Sequence, residues 1–236
     1  MPFSRTELLL GAAAMERLRA SHVLIFGVGG VGGYAVEALA RSGVGALTLV
    51  DADTVTLSNL NRQIIALRST VGQLKVDVAA QRIHDINPDC QVTTKPMFYL
   101  PENADQIPLQ QYDYVIDCVD TVTAKLEIIR RCHAAGVRLI SSMGAANKLD
   151  PTRFRVADIS QTSIDPLARI LRKKLRKEDI HHLKVVYSEE APIVAPAAIT
   201  ESSDRPTLAS VAFVPPAAGL AIAAEVVKDL IGSTAQ

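Results

Sequence analysis

The clearest chemical pattern in the chain is a run of glycines that directly follows a strand-like segment. The segment HVLIF leads into Gly27, Gly29, Gly30 and Gly32, and a helix-like pattern follows them. Gly27 permits a tight turn, and Gly32 allows the helix to pack closely on the strand. Gly29 and Gly30 let phosphate oxygens approach backbone N–H groups at the helix N-terminus. The pattern predicts a nucleotide phosphate site, with a ligand-free turn as the alternative, and does not distinguish ATP from NAD.

Polar and charged side chains follow the glycines in an order that favours ATP. Asp51 ends the next strand-like run, about 20 residues beyond the glycines, where a carboxylate can accept hydrogen bonds from ribose hydroxyls. Asp53 is suited to the same contact or to capping the following turn. The segment SNLNRQ supplies Asn59 and Arg62, and Lys75 begins a helix. Taken singly these cations would be solvated surface charges, but together they suit nucleotidyl transfer, which builds charge on phosphates.

The segment DCVD ends a further strand-like run, at the sheet edge where ligands of open α/β sheets bind. A carboxylate there can hold the Mg²⁺ that bridges ATP phosphates, and we assign this role to Asp120. Asp117 either belongs to the site or braces backbone groups in the turn. Arg62, Lys75 and Asp120 are therefore the expected catalytic side chains.

Alternating strand-like and helix-like segments position these residues. Short runs rich in β-branched residues predict strands at 22–26, 46–50, 90–95, 114–118 and 138–142. Apolar residues at helical spacing predict helices at 31–41, 75–86 and 122–135. This alternation is typical of an α/β fold with a Rossmann-like, doubly wound and mostly parallel sheet.

Residues 151–236 are predicted to form a C-terminal extension that adds strand and helix to that sheet. The predicted elements are strands at 153–159 and 184–188, a helix at 166–177 capped by Asp165, an irregular loop at 189–205, and a final helix opened by Pro216 and ending at 231. An amphipathic helix is predicted at the N-terminus, over 1–20. We expect one domain over 1–236, with residues 1–150 as its nucleotide-binding part.

Composition and cysteine usage narrow the class of protein. The 236 residues are 48% hydrophobic and 4% aromatic, so aliphatic side chains must fill a helix-covered sheet. The formal net charge of zero predicts no polyanionic partner, although a local basic patch stays open. Cys90, Cys118 and Cys132 form no CxxC pair, so we expect reduced thiols and no zinc. We expect Cys118 and Cys132 in the core and Cys90 to be more exposed.

Two further features predict a cytoplasmic location without a membrane partner. The N-terminal segment lacks an apolar signal-peptide core. The longest apolar tract, 211–231, contains Glu225, Lys228 and Asp229, which a bilayer span would have to bury at large cost.

The ordered set of motifs resembles the ubiquitin-activating-enzyme-like superfamily, whose bacterial members adenylate carboxylates. The set is Arg5, the GVGGVG loop, Asp51, SNLNRQ, Lys75 and DCVD, spread over residues 1–150. The resemblance implies that Asp51 contacts ribose, and that Asp120 contacts magnesium. It implies phosphate contacts from Asn59, Arg62 and Lys75. It also implies that Arg5 reaches the nucleotide of a partner subunit, and therefore a homodimer.

The second part of the chain is similar to one branch of that superfamily, the tRNA threonylcarbamoyladenosine dehydratases. The similar segments are DPTRFRVADISQTSIDPLARILRKKLRK and KVVYSEEAP. The resemblance implies ATP-dependent activation of the threonyl carboxylate on a modified adenosine in tRNA, followed by ring closure with loss of water. Basic residues on the predicted helix are candidate tRNA contacts, with a solvated helix face as the alternative. They are Arg169, Arg172, Lys173, Lys174, Arg176 and Lys177.

Three other functions stay open at this stage. Adenylation of a ubiquitin-like sulfur carrier's C-terminus uses the same chemistry, and a sulfur-transfer protein stays open as a partner. The missing CxxC pairs and the absence of cysteine after Cys132 count against it. An NAD-dependent oxidoreductase would leave Arg62, Lys75 and Asp120 without a purpose. A nucleotide-sensing module would bind ATP without turnover.

Overall fold

The computed structural model describes residues 2–193 and 208–232, so the loop predicted at 189–205 lies mostly outside the described residues. The helices are α1 (Ser4–Leu10), α2 (Ala12–Ala20), α3 (Gly32–Arg41), α4 (Lys75–Ile86), α5 (Val122–Ala135), α6 (Pro166–Leu175) and α7 (Val214–Ile231). The strands are β1 (His22–Phe26), β2 (Ala46–Val50), β3 (Gln91–Lys95), β4 (Tyr114–Asp117), β5 (Leu139–Ser142), β6 (Phe154–Asp158) and β7 (Lys184–Ser188). Among the helices of this described part, none is a candidate bilayer span.

The strands form one seven-stranded sheet in the order β3-β2-β1-β4-β5-β7-β6. Neighbouring strands from β3 to β7 run parallel, and β6 pairs antiparallel with β7. The strand order reverses between β1 and β4, the topological switch point where ligands of such sheets bind. The glycine run follows β1 and the DCVD turn follows β4, so both motifs lie at this point. The predicted α/β, Rossmann-like fold with its C-terminal extension is confirmed.

Both faces of the sheet are covered, as the alternating side chains of β1 show. Val23 and Ile25 pack into a core with residues of α2, α3, α4 and α7. Leu24 and Phe26 pack on the opposite face, into a core that includes Ile128 of α5. The apolar run VLIF, which follows His22, is therefore typical of a central strand that is buried on both sides.

Helix α7 fastens the extension onto the nucleotide-binding part. A Cβ at Gly219 would overlap the carbonyl oxygen of Val31, so only glycine permits this approach to α3. Near the other end of α7, the Asp229 carboxylate accepts hydrogen bonds from the Tyr114 hydroxyl at 2.7 Å and the Lys184 ammonium at 2.6 Å. Burial acts to raise the pKa of Asp229, but hydrogen bonds from Lys184 and Tyr114 outweigh it and lower that pKa. Asp229 thus stays ionised and ties α7 to β4 and β7.

The prediction of a single N-terminal helix over 1–20 is wrong in one respect. Gly11, with φ +84, divides that segment into α1 and α2, because its positive φ cannot continue a right-handed helix. At the other end of the chain, α7 begins at Val214 rather than at Pro216. Proline is accommodated there because the first turn of a helix has no internal acceptor for its N–H groups.

The basic helix predicted at 166–177 is shorter than expected. Its N-cap is Asp165 as predicted, since the carboxylate accepts a hydrogen bond from the Ala168 N–H at 2.8 Å. The α-helix ends at Leu175, and Arg176–Glu178 form a 3₁₀ turn that Asp179 closes with φ 59.

Candidate active site

The loop between β1 and α3 has two positions where a side chain cannot fit. A Cβ at Gly32 would overlap the carbonyl oxygen of Gly27, and a Cβ at Gly27 would lie 2.8 Å from that of Cys118. Gly27 also has φ +86, which residues with a side chain rarely adopt. These two glycines therefore perform the turn and the close packing that the sequence predicted.

Gly29 has open surroundings, whereas Gly30 is more closely approached. A Cβ at Gly29 would meet only Nε2 of Gln63, at 3.8 Å, which is an ordinary contact. At Gly30 it would lie 3.2 Å from Cβ of Pro215 and 3.4 Å from Cγ of Arg62. The backbone at Gly29, just before the N-terminus of α3, thus has the accessibility that an incoming phosphate needs.

Asp51, directly after β2, binds one backbone N–H of the glycine loop and one of the turn that follows β2. Its Oδ2 accepts from the Val28 N–H at 2.7 Å, and its Oδ1 accepts from the Asp53 N–H at 2.9 Å. An ionised carboxylate has about four acceptor positions, so capacity for a ribose hydroxyl remains after these two bonds. The structure therefore adds a loop-shaping role to the ribose contact expected for Asp51.

Lys75 lies at the start of α4 and forms an ion pair. Its side chain is 7% exposed, and its Nζ lies 2.6 Å from Oδ2 of Asp53, whose side chain is 51% exposed. Its backbone N–H also donates to the Asp53 carbonyl at 3.0 Å. The sequence left Asp53 between a ribose contact and a turn cap, and the structure makes it the counter-ion of Lys75. Because this carboxylate is solvated, an anionic phosphate can replace it beside the buried ammonium.

Arg62 is half-buried beside the glycine loop. Its Nη1 donates to the Ser58 carbonyl at 2.9 Å and to Oδ1 of Asn61 at 2.9 Å. Its side-chain carbons lie against Gly30, because a Cβ at that glycine would be 3.4 Å from Cγ of Arg62. The guanidinium is therefore held next to the loop where we expect phosphates.

Two buried amides flank this arginine in SNLNRQ. Asn59 accepts a hydrogen bond from the Thr56 N–H at 3.1 Å through Oδ1, which caps the short turn at Leu57–Asn59. Gln63 is 7% exposed, and its Oε1 has no hydrogen-bond partner among the described residues. Because its amide nitrogen lies near Gly29 and its buried carbonyl oxygen has no partner among the described residues, Gln63 is a site candidate that the sequence interpretation missed. The sign in the sequence that could have identified Gln63 is its position directly after Arg62.

Asp117 at the end of β4 is fully buried and braces the turn that follows. Its oxygens accept hydrogen bonds from Nζ of Lys125 at 2.9 Å, Oγ of Ser141 at 2.5 Å and the Val119 N–H at 3.2 Å. Lys125 is 1% exposed and donates as well to the Ser142 carbonyl at 2.8 Å. Of the two interpretations left open for Asp117, the structure supports the bracing one. Lys125 was missed because a lysine on α5 gives no sign in the sequence of pointing inward.

Asp120 is exposed, in the loop between β4 and α5, and its Oδ1 accepts a hydrogen bond from the Thr121 hydroxyl at 3.3 Å. In the part of the chain that the structure describes, no group of three His, Cys, Asp or Glu residues could hold a metal ion. Mg²⁺ bound to a nucleotide usually takes one or two protein carboxylates and completes its shell with phosphate and water. One exposed carboxylate near a phosphate loop fits that donor set.

The three cysteines are poor nucleophiles. Burial raises the pKa of Cys90 to about 11 and the pKa values of Cys118 and Cys132 to about 12, so all three are protonated at neutral pH. The expectation that Cys90 is the more exposed one is wrong, because it is 1% exposed and packs into the core beside the sheet. These thiols are therefore unsuited to thioester chemistry.

The remaining predicted residues lie on other elements. Arg5 is exposed on α1. Arg172 is half-buried, and its Nη1 donates to the carbonyls of Ile159 at 3.2 Å and Thr162 at 2.9 Å, so it secures the loop after β6. The other basic residues of this region are exposed: Arg169, Lys173, Lys174, Arg176 and Lys177.

Comparison with known proteins identifies the family to which this architecture belongs. The sequence model of the ThiF family matches residues 3–236. The chain belongs to the ThiF family. The match extends from α1 into the C-terminal extension, so both parts of the chain are ThiF-family sequence. The resemblance to the ubiquitin-activating-enzyme-like superfamily, inferred from the ordered motifs, is confirmed.

Relatives within the ThiF family differ in how much of this chain they match. A tRNA threonylcarbamoyladenosine dehydratase of Bacillus subtilis is 49% identical, covering 97% of this chain and 94% of its own. The crystal structure of the E. coli enzyme in complex with ATP has a TM-score of 0.87 at 34% identity, covering 98% and 93% of the two chains. A molybdopterin-synthase adenylyltransferase of E. coli is 43% identical, but it covers only 57% of this chain and 53% of its own.

The contrast between Gly29 and its neighbours yields a test of this ThiF-family site. We expect Gly29→Ala to fold with an unchanged melting temperature, because its methyl group meets only an ordinary contact. The methyl group should nevertheless obstruct the phosphates and weaken ATP binding, measured by calorimetric titration, by about tenfold or more, or ~1.4 kcal/mol.

The matched control is Gly33→Ala, whose Cβ would face the Ile64 side chain at 3.4 Å instead of the loop. It should retain ATP affinity. Equal affinity in Gly29→Ala and Gly33→Ala would show that phosphates do not approach the backbone at Gly29.

Proposed function

We propose that this protein uses ATP to dehydrate threonylcarbamoyladenosine in tRNA, through an acyl-adenylate intermediate. The observation that carries the proposal is the full-length similarity to the B. subtilis dehydratase, which includes the extension after residue 150. The molybdopterin-synthase adenylyltransferases are less similar than that dehydratase: the one from H. influenzae is 35% identical and covers 77% of this chain, against 49% and 97% for the dehydratase. Carboxylate adenylation is the chemistry that the superfamily shares, and the higher identity and coverage favour the tRNA substrate.

The reaction proceeds in two steps. In the first, an oxygen of the threonyl carboxylate attacks the α-phosphorus of ATP, a new O–P bond forms, and pyrophosphate leaves. This carboxylate is ionised near neutral pH, so the step needs no strong general base. In the second, a nucleophilic atom of the same side group attacks the activated carbonyl carbon and releases its proton to solvent. AMP leaves with one carboxylate oxygen, and the nucleoside has lost one water.

The residues at the switch point supply the charge stabilisation that the first step requires. Arg62 and Lys75 donate to the phosphates, where negative charge accumulates as pyrophosphate departs. Asp51 accepts from the ribose hydroxyls, and the Asn59 amide nitrogen donates to phosphate while its oxygen caps the turn. Lys75 exchanges its contact with Asp53 for a phosphate oxygen, so its charge is neutralised before and after ATP binds.

Magnesium is part of this proposal, with Asp120 as the side chain that would hold it. When bound, Mg²⁺ neutralises part of the charge on the ATP phosphates. The brace from Lys125 through Asp117 to the Val119 N–H supports this role, because it fixes the backbone directly before Asp120. A cytoplasmic location also belongs to the proposal, since both the tRNA substrate and reduced thiols are typical of that compartment.

The reaction itself can be tested by incubating tRNA that carries the modified adenosine with enzyme and ATP. After digestion to nucleosides, mass spectrometry should show a product lighter by one water, formed only when ATP is present. Arg62→Ala should slow its formation by about a hundredfold or more, because an electrostatic contact to the transition state is lost.

The control is tRNA without the modification, which should give no product and no AMP. If ATP–pyrophosphate exchange responds to a ubiquitin-like sulfur carrier and not to modified tRNA, the sulfur-carrier function replaces this proposal.

A homodimer in which Arg5 completes the partner's site is also proposed. The support is that α1 exposes Arg5 together with two large apolar side chains, Leu8 at 87% and Leu9 at 84% exposure. Adjacent leucines this exposed are characteristic of a surface that another chain covers.

Complementation tests this arrangement. Arg5→Ala and Arg62→Ala should each have greatly reduced activity as pure dimers, and mixing them after subunit exchange should restore about a quarter of wild-type activity. Half of the dimers are then mixed, and one of their two sites has both arginines intact. Activity equal to the sum of the two variants would show that Arg5 acts within its own subunit.

The exposed basic residues around the end of α6 are proposed to contact tRNA phosphates. Five of the six predicted residues are available, because Arg172 is engaged within the protein. Each phosphate contact adds an increment of salt-dependent affinity.

Replacing Lys173 and Lys174 with Gln should weaken tRNA binding and lower the slope of log Kd against log salt by about 1 to 2. Calorimetric ATP affinity should not change. Lys228→Gln, which removes one positive charge from α7, is the control for loss of charge elsewhere on the surface. An unchanged salt slope in the double variant would assign these lysines to a solvated helix face.

A further inference from the structure

A hydrogen-bonded path leads from Arg62 to the segment that precedes α7. The Arg62 Nη1 donates to Oδ1 of Asn61 at 2.9 Å, and Nδ2 of Asn61 donates to the Ser210 carbonyl at 3.1 Å. Both ends of the Asn61 amide are therefore used, one toward Arg62 and one toward a backbone 149 residues away in sequence. Asn61 is exposed, so burial does not account for this arrangement.

Asn147 holds the backbone at the far end of this path. Its N–H donates to the Ala209 carbonyl at 2.8 Å, and its Oδ1 accepts from the Ala209 N–H at 2.9 Å. Its own carbonyl accepts from the Ile193 N–H at 2.8 Å. Asn147 adopts φ 57, a left-handed conformation that asparagine tolerates better than most residues. Ala209 is thus fixed by two hydrogen bonds directly beside Ser210.

We propose that Asn61 is a positioning residue that orients the Arg62 guanidinium, and that Asn147 holds the backbone on which Asn61 rests. This inference rests on the proposed function, because it takes Arg62 to contact the phosphates of ATP. It goes beyond that function by assigning roles to Asn61, which has none so far although it lies within SNLNRQ, and to Asn147, on the loop after β5.

The geometry at Arg62 explains why orientation matters. Both of its internal hydrogen bonds among the described residues use Nη1, which leaves Nε and Nη2 as the donors for phosphate. An unrestrained arginine loses considerable rotamer entropy when it binds a ligand. Asn61 and the Ser58 carbonyl restrict that freedom in advance, so less is lost when ATP arrives.

A double-mutant cycle tests whether Asn61 acts through Arg62. ATP affinity is measured by calorimetric titration for wild type, Asn61→Ala, Arg62→Ala and the double variant. Asn61→Ala should weaken ATP binding about fivefold to twentyfold in the wild-type background and have no effect in the Arg62→Ala background. Its melting temperature should stay at the wild-type value, since the amide is exposed.

One further variant examines the far end of the path. Asn147→Gly adopts the left-handed backbone without strain but lacks the oxygen that accepts from Ala209, and its loss of affinity should also disappear in the Arg62→Ala background. Asp179→Gly, at φ 59 in the turn after α6, is the matched control and should bind ATP normally.

The outcomes separate this inference from the proposed function. If wild type does not bind ATP, the proposed function fails with it. If wild type binds ATP and Arg62→Ala binds it equally well, the inference alone is overturned. Equal losses from Asn61→Ala in both backgrounds, or no loss in either, would also overturn it.

Discussion

The close contact between the glycine loop and the end of β4 is the constraint on which the rest of the site depends. Gly27 lies so near the Cys118 carbonyl, and Gly32 so near Gly27, that neither position has room for a single methyl group. This contact crosses the switch point and joins the two halves of the nucleotide-binding part. The glycine loop and the Asp120 turn are therefore set in place by the same backbone contact.

Two ion pairs of the nucleotide-binding part differ in how deeply their carboxylates are buried. Lys125 and Asp117 are both buried, and together with Ser141 they satisfy each other's hydrogen bonds, so breaking the pair would leave an uncompensated charge at a cost of about 3–5 kcal/mol. Lys75 is also buried, but its partner Asp53 is half-exposed. The first pair is fixed by its surroundings, whereas the second can exchange a carboxylate for a phosphate.

Much of this architecture could be predicted from the sequence, because its signals are local. The strand run HVLIF, the glycine spacing and the Asp165 cap each depend on neighbouring residues, and the structure reproduces them. What the sequence did not reveal depends on contacts between distant segments. The inward position of Lys125, the loop bonds of Arg172 and the link from Asn61 to Ser210 need the folded chain. Gly11 is different, because a glycine inside a helical pattern is compatible with either continuation or a break.

The start of α7 has a consequence for how enzymes of this kind can diversify. Pro215 lies against Gly30, and Gly219 lies against Val31, so the helix that completes the extension also forms part of the wall behind the glycine loop. The nucleotide-binding part and the extension are thus physically interlocked. An extension borrowed from a relative would have to reproduce the approach to Gly30 and Val31, or it would disturb the loop. New substrates are therefore more accessible through changes on the exposed face of the extension than through its replacement.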